Sequence, residues 1–419
     1  MELMNQPFTG QLGNRLIELL DSSDYHTLNI AVAFAKNSGV LRIKDSLERF
    51  RAREGKVNVY VGVDLGGTSY EALTALLLHT DSLNVVHSEN GQTFHPKIYQ
   101  FVGKEKGLVV IGSHNLTAGG LWTNFESSVL IPVDWSGANE VELLKGLDEY
   151  IENLSSLKDS FMPIDAQDDI DKLLQNGYIF KEVTEQVHRA KVATLNGTMG
   201  RLFGNGAPAK LPSTAMLKKQ KTAAALAPVS PISDPLNGEG QTIWFETRSM
   251  TSESRNILDL SMTSLIERGD PTGTSLDLGE PGFMRGAVQF FGLNPTDTAK
   301  RKNITLNFEG IDYTGSTILF PDGDKANGTW RLQIHGKSSS NVKITEVFKD
   351  LNAAEGERYN KKGVLQLYLQ LKIITFTKIQ DDYYSMSVFP ESELENFRKA
   401  SRILARNGRT NQARQLGLL

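Results

Sequence analysis

Short apolar runs alternate with amphipathic stretches over the first 134 residues. LNIAVAFA (28–35), KVNVYVGVD (56–64), LNVVHS (83–88), HPKIYQFVG (95–103), GLVVIGS (107–113) and ESSVLIPV (126–133) have the length and β-branched content of strands. The charged run Leu41–Arg53 and TSYEALTALLLHT (68–80) have helical spacing. Strands separated by helices predict an α/β layered domain. Apolar residues three and four apart return around Glu140–Leu154 and Asp168–Leu195, which predicts further helices.

The pattern then changes twice. Residues 204–240 are rich in Pro, Gly, Ala and Ser, lack periodicity and have little to bury, so they read as a linker. From Gln241 to Val388 the runs TIWFETRS, NITLNFEG, STILFPDG, TWRLQIHG, VLQLYLQLKIITFTKI and YYSMSVF are divided by Gly, Asp, Asn and Pro turns. That predicts a mostly β, barrel-like domain. Over 391–407, Leu394, Phe397, Ser401 and Leu404 share one helical face, and Arg398, Lys399, Arg402 and Arg406 complement the dipole of a C-terminal helix. The expected division is 1–203, a linker over 204–240, and 241–419.

Length supports this division, since 419 residues exceed one ordinary core. The chain has no cysteine, which removes disulfides, thiolate nucleophiles and the usual structural zinc sites. A net charge of −4 argues against indiscriminate coating of nucleic acid but leaves room for local basic patches. The opening MELMNQPFTGQLGNRL lacks the basic and apolar regions of a secretory leader, and no apolar run is long enough to span a membrane. The expectation is a cytoplasmic protein.

The candidate chemistry lies in HPKIYQFVGKEKGLVVIGSHNLTAGGLWTNFESSVLI (95–131). Strand alternation over HPKIY is expected to project His95, Lys97 and Tyr99 from one face. GLVVIGSHN carries an apolar strand into Gly112, Ser113, His114 and Asn115, small and polar groups at a strand end. Imidazole can attack phosphorus and form a covalent intermediate. An ammonium and an amide can neutralise the non-bridging oxygens, and a carboxylate can fix the imidazole tautomer. No cofactor is needed for that chemistry. A His-x-Lys triplet alone is usually a solvated strand face, and only the ordered combination is specific. VYVGVDLGGTS (59–69) lacks the Lys-Ser/Thr of a nucleotide loop and reads as a tight turn with Thr68 or Ser69 capping the next helix, Asp64 being part of that turn.

These residues resemble the phospholipase D superfamily and, within it, the restriction endonucleases of the BfiI and NgoFVII type. His95, Lys97, Gly112, Ser113, Asn115 and Glu126 carry the resemblance. The superfamily's aspartate five residues after the lysine is replaced by Val102, a departure shared by the nuclease branch, which uses a later glutamate as at Glu126. The resemblance implies His95 as nucleophile, Lys97 and Asn115 on the scissile phosphate, Glu126 supporting the histidine, and a hydrogen bond from Ser113. One motif per chain implies a homodimer with a composite site, since neither His87 nor His114 belongs to a second His-x-Lys.

For the β-rich half the resemblance is to the B-three-like DNA-binding pseudobarrel. It implies double-stranded DNA as partner and base or phosphate contacts from Arg248, Ser249, Arg255, Asn256, Arg331, Gln333, His335 and Lys337. Some relatives act with a separate ATP-dependent helicase-like subunit, and this chain carries no ATPase motif of its own. The rival readings are a phosphatidyl transferase or lipid hydrolase of the same superfamily, expected to carry apolar membrane-docking loops, and a non-catalytic DNA-binding regulator.

Overall fold

A computed structural model describes residues 1–136, 138–195, 207, 209, 211–212, 240–248, 256–322, 328–356 and 366–419. Nearly all of the expected linker, together with Ser249 and Arg255, lies outside the described residues. The chain divides into two compact units, with Met1–Glu182 in the first and the chain from Val183 opening the second.

The first unit runs β1 (Glu2–Gln6), α1 (Leu12–Asp21), β2 (Tyr25–Val32), α2 (Asn37–Ala52), β3 (Lys56–Gly62), α3 (Tyr70–His79), β4 (Ser82–Val86), β5 (Lys97–Gly103), β6 (Lys106–Gly112), β7 (Glu126–Asp134), α4 (Ala138–Ser155), β8 (Phe161–Pro163) and α5 (Gln167–Gln175). The strands form one mixed sheet, ordered β1-β7-β6-β5-β2-β3-β4-β8. β2, β3 and β4 are parallel, and the other neighbours are antiparallel. Leu28, Ile30 and Val32 of β2 and Val57, Val59 and Val61 of β3 pack on one face with Leu16, Ile43, Leu47, Leu73 and Ile170 from α1, α2, α3 and α5. The opposite face takes Leu144 and Leu154 of α4 against Val109, Val133, Ala31 and Phe94. Burial on both faces explains why the central strands read as continuous apolar runs. Ser69 caps α3 by accepting from the Ala72 N–H at 3.1 Å, as its place before the helix predicts.

The second unit opens at Val183, one residue into α6 (Glu182–Leu195), and Val183 and Val187 pack with Trp244, Phe389, Phe397 and Leu404. There follow β9 (Thr242–Glu246), β10 (Ile257–Leu260), β11 (Thr263–Arg268), β12 (Phe283–Arg285), β13 (Arg301–Phe308), β14 (Ile311–Leu319), β15 (Trp330–Gln333), α7 (Ile344–Ala354), β16 (Lys372–Gln380), β17 (Tyr383–Pro390), α8 (Leu394–Ala400), β18 (Ile403–Arg406) and β19 (Gln415–Leu418). The sheet order is β10-β15-β14-β13-β17-β16-β9-β19-β18-β11-β12. Only Ser261 and Met262 separate β10, at one edge, from β11, next to the other, so the eleven-stranded sheet must curl to bring its ends together.

The helix expected over 391–407 is shorter than its periodicity predicts. α8 stops at Ala400, and Leu404 and Arg406 belong to β18, which pairs with β11 and β19. The Ser401 hydroxyl donates to Phe397 O at 2.7 Å and accepts from Trp244 Nε1 at 2.8 Å, while the Arg402 N–H turns to Leu418 O. Sheet pairing outcompetes the next helical turn. Among the described residues no helix is long and apolar enough to cross a membrane.

Candidate active site at one end of the first sheet

Strand directions gather the candidate groups along a single sheet end. Lys97 opens β5 opposite Val32, the last residue of β2. Gly112 closes β6 opposite Ser128, and Glu126 opens β7 opposite Gln6, the last residue of β1. β3 and β4 also finish here, at Gly62 and Val86, which are register partners.

His95 lies just before β5 and is exposed, with its ring edge-on to Phe34 at 5.8 Å. Lys97 Nζ lies 2.6 Å from His95 Nδ1 and 3.0 Å from Nε2, and also donates to His95 O at 3.0 Å. Burial pushes the Lys97 pKa down, and the charge of Glu126 opposes that shift. The expected His95-Lys97-Tyr99 face is therefore only partly formed. His95 precedes the strand, and Tyr99 is fully buried, its hydroxyl donating to His114 O at 3.1 Å. Its pKa is raised by that burial and, secondarily, by Glu126.

Asn115 follows β6 and accepts the Phe34 N–H through Oδ1 at 3.1 Å. With its oxygen committed, the amide has its NH₂ to offer a ligand. Ser113 is exposed and donates to Glu126 Oε2, while Asn124 Nδ2 donates to Glu126 Oε1 at 3.2 Å. Both Glu126 oxygens thus have partners other than His95. The implied direct support of the histidine is not made within this chain; the carboxylate acts electrostatically on Lys97 instead.

Gly112 has no room for a side chain. A Cβ there would lie 2.3 Å from Ser127 O and 2.5 Å from Ser128 Cβ. That close approach lets β7 bring Glu126 against Ser113. His114 is 1% exposed and bonds Gly120 O at 2.8 Å and Ser128 Oγ at 3.1 Å, and burial lowers its pKa. It is a core histidine and no second acid.

Gln6, which no sequence motif marks, is 1% exposed; its amide donates to Gly120 O and Asn124 O, each at 3.1 Å. That holds the loop before Glu126, and nothing in ELMNQ announces it as a strand. Also unforeseen is the apolar character of the rim. Leu65 is 89% exposed, and Phe8 and Phe125, 71% and 64% exposed, stack at 5.7 Å.

In the second unit, Trp330, Leu332 and Ile334 are buried while Arg331 and Gln333 are half-buried and His335 and Lys337 exposed. This is the alternation that the sequence predicts. Asn256 O accepts the Ile334 N–H at 2.7 Å, which brings Asn256 beside them. Arg248 lies elsewhere, donating to Gln412 O at 2.8 Å and to Glu246 at 3.4 Å. Arg301 and Leu319, then Leu319 and Arg331, are register partners across β13, β14 and β15, so Arg301 shares the row of Arg331.

Comparison of the sequence with protein-family models and with curated proteins gives no match. Among solved structures, NucT from Helicobacter pylori is similar at 18% identity over 36% of this chain and 93% of its own, with a TM-score of 0.26. The phospholipase D family member Nuc from Salmonella typhimurium follows at 16% identity over 39% and 97%, TM-score 0.29. Phosphatidylserine synthase from Haemophilus influenzae Rd KW20 overlaps at 13% identity over 44% of each chain, TM-score 0.29. Overlaps of this size carry no functional argument.

Proposed function

We propose that this chain is a DNA endonuclease of restriction type, cleaving phosphodiesters through a phosphohistidine without a metal cofactor and acting as a homodimer. The observation that carries the reading is His95, exposed at the sheet end with the Lys97 ammonium 2.6 Å from its ring. An imidazole nitrogen attacks phosphorus, the bond to the leaving oxygen breaks, and that oxygen takes a proton. Water then attacks the phosphohistidine, leaving a phosphate monoester and restoring the ring. Lys97 and the Asn115 amide stabilise charge on the non-bridging oxygens. Glu126, held by Ser113 and Asn124, favours the Lys97 ammonium against the burial that lowers its pKa.

The cycle asks for both an attacking base and a proton donor, and this chain offers one exposed imidazole in the constellation. A second copy across a two-fold axis supplies the other. The second unit is proposed as a B-three-like pseudobarrel reader of double-stranded DNA, with Arg331, Gln333, His335, Lys337 and Asn256 as its contacts.

One observation favours a second reading. The exposed Leu65, Phe8 and Phe125 suit a lipid surface as well as a protein partner, as a phosphatidyl transferase would require. Plasmid DNA and phosphatidyl vesicles, each incubated in EDTA with the protein and with His95→Ala, separate the two. DNA cleavage lost in the variant is the expected result. Cleavage requiring Mg²⁺ defeats the mechanism, turnover of vesicles alone favours the lipid enzyme, and DNA binding without cleavage favours a regulator.

A further inference from the structure

His95 sits on the connection between β4 and β5, and this connection has a difficult path. In the sheet order β5-β2-β3-β4 it must cross the ends of β3 and β2 to reach its next strand. At about 4.8 Å per strand that is roughly 14 Å of lateral travel. Its middle, residues 89–93, is exposed. The position of the nucleophile therefore depends on where the crossing is gripped.

Asp64, just past the end of β3, lies under that crossing. Its Oδ2 accepts the N–H of Phe94, the residue before His95, at 3.1 Å. Its Oδ1 meets His87 Nδ1 at 2.7 Å, where the connection leaves β4. One carboxylate thus ties the start of the crossing to its end. Gly62 shows independently how closely the crossing is seated: a Cβ there would stand 2.9 Å from Phe94 O and 2.8 Å from Ala33 O. On the other side of His95, Pro96 O accepts the Ala33 N–H at 2.9 Å. The turn presenting Asp64 places Leu65 at φ 56° and Gly66 at φ 64°, the left-handed region that leucine rarely occupies. His87 is itself braced, its N–H on Ser160 O at 3.0 Å and its ring edge-on to Tyr178 at 5.2 Å.

We propose that Asp64 and His87 are positioning residues for His95, a clip that fixes the nucleophile by holding the neck of its loop. The pair lies two and three strands from β5, so it acts through the Phe94 backbone and not on the phosphate. Because a carboxylate oxygen accepts, Nδ1 is the His87 nitrogen that donates at this contact, which fixes that imidazole's tautomer. The proposal rests on the phosphodiesterase reading for its kinetic effect but not for its geometry.

The test uses the full chain. Asp64→Ala is expected to lower the single-turnover cleavage rate about 100-fold, the scale of an ångström-sized misplacement, with KM little changed. Asp64→Asn keeps an oxygen for the Phe94 N–H and is expected to restore the rate to within about tenfold of wild type. If Asp64→Ala proves unstable by thermal melt, the Asp64→Asn and His87→Gln pair carries the comparison, with His87→Gln expected to lose about tenfold. Histidine-labelled NMR gives a readout independent of activity. The His95 ring resonances, assigned by His95→Gln, should move in Asp64→Ala and return toward wild type in Asp64→Asn. Unmoved resonances, or equal losses in Asp64→Ala and Asp64→Asn, overturn the clip. A wild-type protein that cleaves nothing while the resonances shift as expected leaves the clip standing and defeats only the phosphodiesterase reading.

Discussion

Replacing Lys97 with methionine removes the ammonium and keeps most of the side chain's volume. A phosphorus poised for attack stands about 3–3.5 Å from the imidazole nitrogen. Lys97 Nζ is 2.6 and 3.0 Å from the two ring nitrogens, so its charge would fall within a few ångströms of the oxygens of a phosphate attacked there. A unit charge pair about 4 Å apart interacts by about 4 kcal/mol at an effective dielectric of about 20. Only part of that charge develops on the way to the transition state, so a loss of about 3 kcal/mol, roughly 10² in rate, is expected. The assay is single-turnover cleavage of labelled duplex DNA in EDTA, alongside a thermal melt. Lys97→Met should stay folded. Its pH behaviour separates two effects of one group. Burial lowers the Lys97 pKa from 10.5, so the folded protein releases this proton before the unfolded chain does. Wild-type stability relative to the variant should therefore rise as pH climbs from the lowered value to 10.5, while wild-type activity falls with loss of the ammonium. A folded Lys97→Met that cleaves at wild-type rate would refute the assignment of Lys97 to the phosphate.

Other consequences are independent of that one. Glu71 is fully buried, and desolvation followed by the nearby Glu182 raises its pKa from 4.5 to about 7. The folded state then holds a proton that the unfolded chain releases, so wild-type stability should fall between pH 4.5 and about 7 relative to Glu71→Gln, measured by urea melts across that range. Gly112→Ala should cost about 1–3 kcal/mol or more, because the new Cβ meets backbone at 2.3 Å; an unchanged melting temperature would contradict the close β6–β7 approach. Arg331→Ala with Gln333→Ala should weaken binding to the recognised DNA by about 1–3 kcal/mol per base contact while leaving non-specific cleavage intact. Unchanged affinity on that DNA would move the reading surface elsewhere.

The parts of this molecule that were legible in the sequence are those fixed by local burial. β2, β3 and β6 are covered on both faces and read as apolar runs, and Trp330, Leu332 and Ile334 alternate with polar neighbours because one face of β15 is core. What was not legible depends on distant partners. β1 is a strand because β7 offers it an edge, and Gln6 is buried because the loop after Ala118 supplies carbonyls to its amide. Ser401 ends a helix whose periodicity continues, since Trp244 and Leu418 claim the next residues. In the candidate site, the residue types His95, Lys97, Ser113, Asn115 and Glu126 were legible and their gathering at one sheet end follows from topology. The partners were not: Glu126 goes to Ser113 and Asn124, His114 to the core, and Asp64 to the loop that carries His95.

The most direct measurement of the central claim is a chemical trap of the intermediate. Phosphate-labelled duplex DNA is mixed with protein in EDTA, quenched in base within the first turnover, digested, and mapped by mass spectrometry. The expected result is a nucleotidyl or phosphoryl adduct on the peptide carrying His95, labile to acid and absent from His95→Ala. Cleavage that proceeds with no adduct on His95, or only after Mg²⁺ is restored, would contradict it.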